Sequence, residues 1–266
     1  MRISNQQRSP LLFITTAIIT LFMVVPVLMS VVAGLVNNYN RGISSGLTLR
    51  WVEQVWDVYG STVGASIGLA LACVAATLIL GVPCAYALAR SRSRWARAFE
   101  ELLLLPVAIP GLATALALIL VYGNITSLRQ SFGFILIGHV VFTLPFMVRT
   151  VSAAFQRHEL LAIEEAARTL GASFVQRFLG VLVPAVLPAI VAGMLMVFTL
   201  SIGEFNLTWM LHTPLTRTLP VGLADSYASM RIEVGSAYTL IFLLVILPVL
   251  WILQTIGTYI QKRYGA

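Results

Sequence analysis

Hydrophobic residues arrive along this chain in long unbroken runs, and polar residues gather in the gaps between them. A helix needs about 20 apolar residues to cross the hydrocarbon core of a bilayer. Six runs reach that length, at roughly 11–36, 61–89, 102–123, 133–155, 185–205 and 236–259. None shows the two-residue alternation of a barrel strand. The pattern predicts an all-α membrane protein, a single transmembrane domain over 1–266 with six transmembrane helices. Prolines fall inside several runs, at Pro26, Pro83, Pro106, Pro110, Pro145 and Pro248. Membrane helices tolerate such breaks when neighbours satisfy the freed carbonyls. Pro106, Pro110 and Gly111, near the start of the third run, predict a kink that either sets a packing angle or opens a cavity. Gly64 and Gly68, four apart, allow another helix to approach closely.

Composition agrees with this reading. Only 10% of residues are charged, against roughly 25% in a soluble domain, and the mean hydropathy is +0.92. Arg2 and Arg8 before the first run resemble the start of a signal peptide. The run is too long for one, however, and lacks a small-x-small cleavage site, so it reads as a retained span. Cys73 and Cys84 have no metal-ligand or redox spacing and read as small buried hydrophobes.

The net charge of +7 and pI near 9.9 invite a nucleic-acid partner, but the position of the charges explains them better. Six spans put both termini on one side. That side, made of the two ends and loops 90–101 and 149–183, carries 12 of the 17 Lys and Arg residues. The acidic residues divide evenly, so the whole excess sits on one face, which the positive-inside rule makes cytoplasmic. Loops 37–60, 124–132 and 206–235 then lie outside, where Trp51, Trp56 and Tyr59 read as interfacial anchors. No nucleic-acid partner is needed.

The longest charged segment, 158–183, changes character. Leu160, Ile163, Ala167 and Leu170 recur at helical spacing. Glu164 and Arg168 stand four apart in the favourable order for a helix pair. Gly171 follows the last periodic residue, where a left-handed cap is wanted. Ser173 and Gln176 form a capping box for a second short helix, and Pro184 opens the return into the fifth run. On periodicity alone this hairpin is either a docking element or a connector lying in the membrane interface.

The spacing Glu165-Ala166-Ala167, three residues, Gly171, nine residues, then Val181-Leu182-Val183-Pro184 resembles the cytoplasmic signature of permease subunits of bacterial binding-protein-dependent type I ABC importers. That signature reads Glu-Ala-Ala-x3-Gly-x9-Ile-x-Leu-Pro, with Val181 and Val183 here in place of Ile and Leu. The resemblance implies a MetI-like permease fold, with a cytoplasmic coupling helix in 158–183 between spans four and five. Glu164, Glu165, Ala166, Ala167, Gly171 and Pro184 would serve a cytoplasmic ABC ATPase dimer that holds the ATP and Mg. A second permease subunit, copy or relative, and an external solute-binding protein would complete the assembly in a bacterial inner membrane. Residues 46–51 and Thr218-Leu219-Pro220 look most like permeases for 2-aminoethylphosphonate or polyamines. Gly203-Glu204-Phe205 is shared with iron(III) and sulfate or molybdate importers.

No Gly-x4-Gly-Lys-Ser/Thr phosphate loop occurs in the sequence, so ATP hydrolysis is expected on a separate chain, and no cofactor or metal in this one. No paired acid and base or nucleophile motif suggests an enzyme, and His139, His158 and His212 are scattered. Glu204 closes the fifth span after Thr199 and Ser201. A charge there is costly unless functional, so these three residues are candidates for the solute pathway, with an interfacial Glu204 or a Glu204–Arg217 pair as the bland alternative. A transporter driven by ion gradients would instead need ionisable groups deep in several spans.

The orientation is testable. Single cysteines at Ser44 and at Ser91, in a chain lacking Cys73 and Cys84, should behave oppositely: an impermeant maleimide should label the first in intact cells and the second only after permeabilisation.

Overall fold

The computed structural model describes residues 10–264; Arg2 and Arg8, which contributed to the predicted orientation, lie outside the described residues. Among the described residues, four helices are long and apolar enough to cross a membrane, or up to six if each of two sharply bent pairs counts as one span. The architecture is all-α, and the one β-bridge among the described residues joins Val36 to Leu47. By internal contacts the chain falls into two compact units, one of residues up to 60 with 222–244, the other of 61–221 with 245–266.

The first unit begins with α1, Pro10–Ala33, whose apolar side chains are largely exposed, as suits a helix facing lipid or another chain. A 3-10 turn over Tyr39–Ser45 follows. The chain then enters α2, Arg50–Arg90, so helix begins eleven residues before the apolar run that predicted it. α13 and α14, Leu219–Ala228 and Ile232–Tyr264, give this unit their adjoining portions. Ser30 Oγ, Tyr227 Oη and Ser236 Oγ form a hydrogen-bonded row at 3.1 and 3.0 Å. Gly34 makes that approach possible, because a Cβ there would lie 2.6 Å from the backbone nitrogen of Ala237. Trp51 donates from Nε1 to the Val36 carbonyl at 2.9 Å, anchoring its ring by the polar edge.

In the second unit the predicted third span is not one helix. An amphipathic helix α3, Arg94–Leu103, and a single turn α4, Leu105–Ala108, precede α5, Gly111–Tyr122, and the axis bends by 104° between them. The cause is local. Ile109 is extended (φ −86°, ψ 136°) as a residue before proline tends to be, and Pro110 has ψ 135°. At 12 residues α5 is about 18 Å long, short of the roughly 30 Å core. After the turn α6, Thr126–Arg129, the long α7 runs Phe132–Phe155 and forms the centre of this unit.

The predicted fifth span, 185–205, is largely one helix, and the chain bends at its entry. α8, His158–Thr169, leads through α9, Phe174–Arg177, a π-helical turn Phe178–Leu182 and α10, Val183–Ala185, to α11, Leu187–Ile202, with a bend of 71° before α11. A six-residue helix follows, α12, Asn206–Leu211. The sequence placed 206–235 in an outer loop. Instead α12 packs against α5 and α7, with Leu207, Thr208 and Leu211 buried. Leu69, Ala115, Phe134, Ile135, Leu207 and Leu211 share one apolar core. α5 and α12 are both too short to span alone, and each covers the other.

Candidate functional site

Two groups of polar residues stand out against this apolar background. The first is built on the 158–185 segment. α8 ends in a Schellman arrangement: Gly171 adopts φ +83°, its N–H reaches the Arg168 carbonyl at 3.0 Å, and the Ala172 N–H reaches that of Ala167 at 3.1 Å. The positive φ is why glycine belongs here. The capping box that starts α9 is present in both directions, with Ser173 N to Gln176 Oε1 at 2.8 Å and Gln176 N to Ser173 Oγ at 3.4 Å.

The inward face of α8 differs from the one that periodicity predicts. Leu160 is buried and Ala167 half-buried, but Leu170 is 87% exposed. Between the first two, at the same helical stripe, sits Glu164. Its carboxylate does not pair with Arg168. Oε1 accepts a bond from Tyr86 Oη at 2.5 Å, and Oε2 one from Arg90 Nε at 2.7 Å. Arg90 also donates through Nη1 to the carbonyl of Phe155, the last residue of α7, at 2.6 Å. Tyr86 and Arg90 are four apart on the last turns of α2, so both reach the same carboxylate. The Arg90–Glu164 side chains are only 17% and 15% exposed, so their desolvation offsets much of the Coulomb gain, and removing either partner alone strands a largely buried charge. An aromatic cluster surrounds it: the Tyr86 ring lies 5.6, 5.8 and 5.2 Å from those of Phe155, Phe174 and Phe178. Sequence reasoning paired Glu164 within its own helix. The signal for the longer partnership was an arginine at the end of the second apolar run.

The other motif residues face outward. Glu165, Ala166, Gly171 and Pro184 are exposed. Around them lie Leu161, Ile163, Leu170, Val175 and Leu179, all exposed apolar side chains. One residue step along α8 therefore separates a carboxylate locked to α2 from one presented at the surface.

The second group surrounds Glu204. Its Oε1 accepts from the Leu207 N–H at 2.8 Å; its Oε2 accepts from the Thr208 N–H at 2.8 Å and the Thr208 hydroxyl at 2.7 Å. It thus caps α12 with a negative charge at the positive end of the helix dipole. At the other end, Arg129 of α6 donates from Nη1 to the Leu211 carbonyl at 2.7 Å. α12 is clamped by complementary charges at both ends. His139, 1% exposed on α7, bridges Ser201 Oγ through Nδ1 and Thr208 Oγ1 through Nε2, both at 2.8 Å. Because the Thr208 hydroxyl proton goes to Glu204, Nε2 must donate and Nδ1 accepts from Ser201. Nε2 of His139 lies 3.7 Å from Glu204 Oε2. Ser66, Leu69, Ile202 and Thr218 complete the lining of a gap too narrow for a water molecule.

Of the three residues singled out near the end of the fifth span, Ser201 and Glu204 meet here. Thr199 is exposed and returns its hydroxyl to the Leu195 carbonyl at 2.8 Å. His139 and Thr208 were missed, since nothing local distinguishes a histidine whose partners lie 62 and 69 residues away. Among the described residues no group of His, Cys, Asp and Glu is arranged to hold a metal. Cys73 is buried and free, with Sγ 3.2 Å from Thr143 Oγ1.

This geometry predicts a structural cost at Glu204. Glu204→Gln turns one acceptor into a donor facing the Thr208 groups, and His139→Ala strands Ser201 and Thr208. Each should cost about 2 kcal/mol in thermal unfolding of the purified protein, with the double variant losing less than the sum.

The family of binding-protein-dependent transport system inner membrane components matches residues 77–264. A putrescine transport system permease protein from Escherichia coli (strain K12) is 27% identical over 267 residues, covering 96% of this chain and 92% of its own. A molybdenum transport system permease protein from Mycobacterium bovis is 30% identical over 202 residues, covering 71% and 75%. A protein of Salmonella choleraesuis named for 2-aminoethylphosphonate transport is 23% identical over 252 residues, covering 94% and 95%. Among solved structures, a bacterial ABC transporter involved in the import of the acidic polysaccharide alginate aligns with a TM-score of 0.67 at 19% identity, over 94% of this chain and 95% of that one.

Proposed function

Because this chain belongs to the binding-protein-dependent transport system inner membrane components, we propose that, as a permease subunit of a type I ABC importer, it couples to a cytoplasmic ATPase through α8. The ATPase and the solute-binding protein belong to other chains of the system. A second permease subunit completes the pathway for a small solute, and both termini face the cytoplasm.

The observation that carries the coupling role is the division of labour on α8. Glu165, Ala166 and Gly171 are exposed within an apolar patch that includes Leu170 and Val175. Two alanine-sized positions beside a capped helix end give a smooth surface for a groove, and the patch suits a protein partner better than water. The closing of the ATPase dimer would then push on a short helix already fixed to the bundle, the logic of a two-state element biased from one side.

For the solute we favour a polyamine or 2-aminoethylphosphonate over molybdate. The relatives named for putrescine and 2-aminoethylphosphonate align with this chain nearly end to end, whereas the molybdenum permease aligns over 71% of it. Glu204 serves in this reading as a positioning residue, since both its oxygens are taken by α12; it shapes the pathway without contacting solute.

Uptake of labelled putrescine, 2-aminoethylphosphonate and molybdate tests this directly in cells expressing the chain with its ATPase and binding protein. One of the first two should accumulate in an ATP-dependent manner; molybdate uptake alone would overturn the preference. Gly171→Asp, which forces a side chain into the left-handed position and adds a charge to the docking face, should lower uptake by about tenfold or more, the loss of roughly 1.4 kcal/mol of docking. Co-purification of the ATPase should weaken in parallel. Full uptake with Gly171→Asp would remove the coupling role.

A further inference from the structure

α3 turns its apolar stripe away from the rest of its own unit. Trp95, Phe99 and Leu102, at steps of four and three along one face of Arg94–Leu103, are 79%, 47% and 57% exposed. The side turned toward the protein carries Ala96, Glu100 and Leu103 instead, and these are only half-buried. No residue of α3 is buried. A helix of ten residues is too short to hold in water by itself, so the Trp95 stripe needs a cover that the described residues do not supply. We infer that this cover is the bilayer interface, and that Arg92, Arg94 and Arg97 beside the stripe bind the phosphate headgroups of anionic phospholipids. The inference goes beyond the permease role and stands on the membrane-spanning character of the chain alone.

Direction and continuity both favour lipid as the occupant. The axis bends by 104° between the α3–α4 segment and α5, so where α5 enters the bilayer α3 lies close to its plane. An amphipathic helix in that posture sinks its apolar face into the boundary between headgroups and acyl chains. Leu105, Val107 and Ile109 after α3, then Leu112, Leu116 and Leu120 of α5, are exposed as well. One apolar surface therefore runs from Trp95 into a helix that presents leucines at four-residue steps to hydrocarbon. Tryptophan suits the upper edge of such a surface, because its ring is apolar and its N–H is not.

Charge narrows the lipid to an anionic one. Arg92, Arg94 and Arg97 are exposed and make no ion pair among the described residues. They crowd the N-terminal end of α3, while Glu100 and Glu101 stand toward its C-terminal end, the reverse of the order that a helix dipole favours. Arg97 also precedes Glu101 by four, the weaker order for a helix pair. These charges do little for the helix itself. They fit an anion outside the chain, and the planar fork of arginine binds phosphate oxygens through two parallel N–H donors. Ser93 holds this end in shape: its Oγ accepts from the Trp95 N–H at 3.2 Å, and its own N–H donates to Ser91 Oγ at 3.3 Å. Arg90, at the end of α2, is committed to Glu164 and the Phe155 carbonyl and takes no part.

Quenching of Trp95 fluorescence tests this in the full chain reconstituted into nanodiscs. The Trp95 signal is isolated as the difference between the natural chain and Trp95→Phe. Phosphatidylcholine and phosphatidylglycerol are compared, each brominated on its acyl chains close to the headgroup and diluted into unbrominated phosphatidylcholine. Both should quench Trp95, with phosphatidylglycerol effective at an about tenfold lower fraction, the scale set by three arginines near an anionic surface and partly offset by two glutamates. Replacing Arg92, Arg94 and Arg97 together by Gln should bring the two lipids to parity and leave quenching by phosphatidylcholine in place. Equal quenching by both lipids in the natural chain overturns headgroup recognition. No quenching by either overturns the interfacial position and means that a protein, a second copy or another subunit, covers α3. Those two outcomes are read without the Gln variant, so they hold even if it fails to fold; a folded Gln variant that keeps the phosphatidylglycerol preference overturns the role of the arginines.

Discussion

Hydrocarbon offers no hydrogen bonds, and that constraint governs where this chain can break its helices. Every interruption in a span frees backbone groups that water would satisfy elsewhere, each at a cost of several kcal/mol if left unpaired. The structure meets the cost with side-chain charges at helix ends. Glu204 takes two N–H groups at the start of α12, Arg129 a carbonyl at its finish, and Arg90 the last carbonyl of α7. The charges are stabilised in turn by the helix ends they complete. Without these pairings α12 could not lie among α5 and α7, and the two short helices would have no cover.

The same economy shapes the corner where α2, α7 and α8 meet. A helix rotates about 100° per residue, so adjacent glutamates on α8 face in different directions. Glu164 turns inward and is held by α2; Glu165 turns outward and is left available. A single short helix is therefore fixed to its own bundle on one side and exposed on the other. Exchange of the two roles would need the whole helix to roll, which the Schellman end at Gly171 and the two-residue link to α7 resist.

Much of this was legible from the residues in order. Long apolar runs mark a membrane protein, and the Gly171 stop and the Ser173–Gln176 box depend on neighbours within four positions, so local spacing was enough to find them. The break at Pro106 and Pro110 was visible as a kink, but its size was not: the angle depends on α5 finding α12 to pack against, nearly a hundred residues later. For the same reason 206–211 looked like a polar-flanked loop, since its burial depends on partners in α5 and α7.

Sequence alone determined the membrane class and the signature from Glu165 to Pro184, because hydropathy and capping are properties of short stretches. Tertiary structure alone decided which partner each buried polar group found. Glu164 meets Arg90 rather than Arg168 because the packing of α8 turns its carboxylate into a corner with little water, where a charge left without a partner would be costly. His139, which read as one scattered histidine among three, became the link between Ser201 and Thr208 because a buried imidazole must have both nitrogens satisfied. Burial sets the value of a polar contact, and burial is the one quantity that only the folded chain supplies.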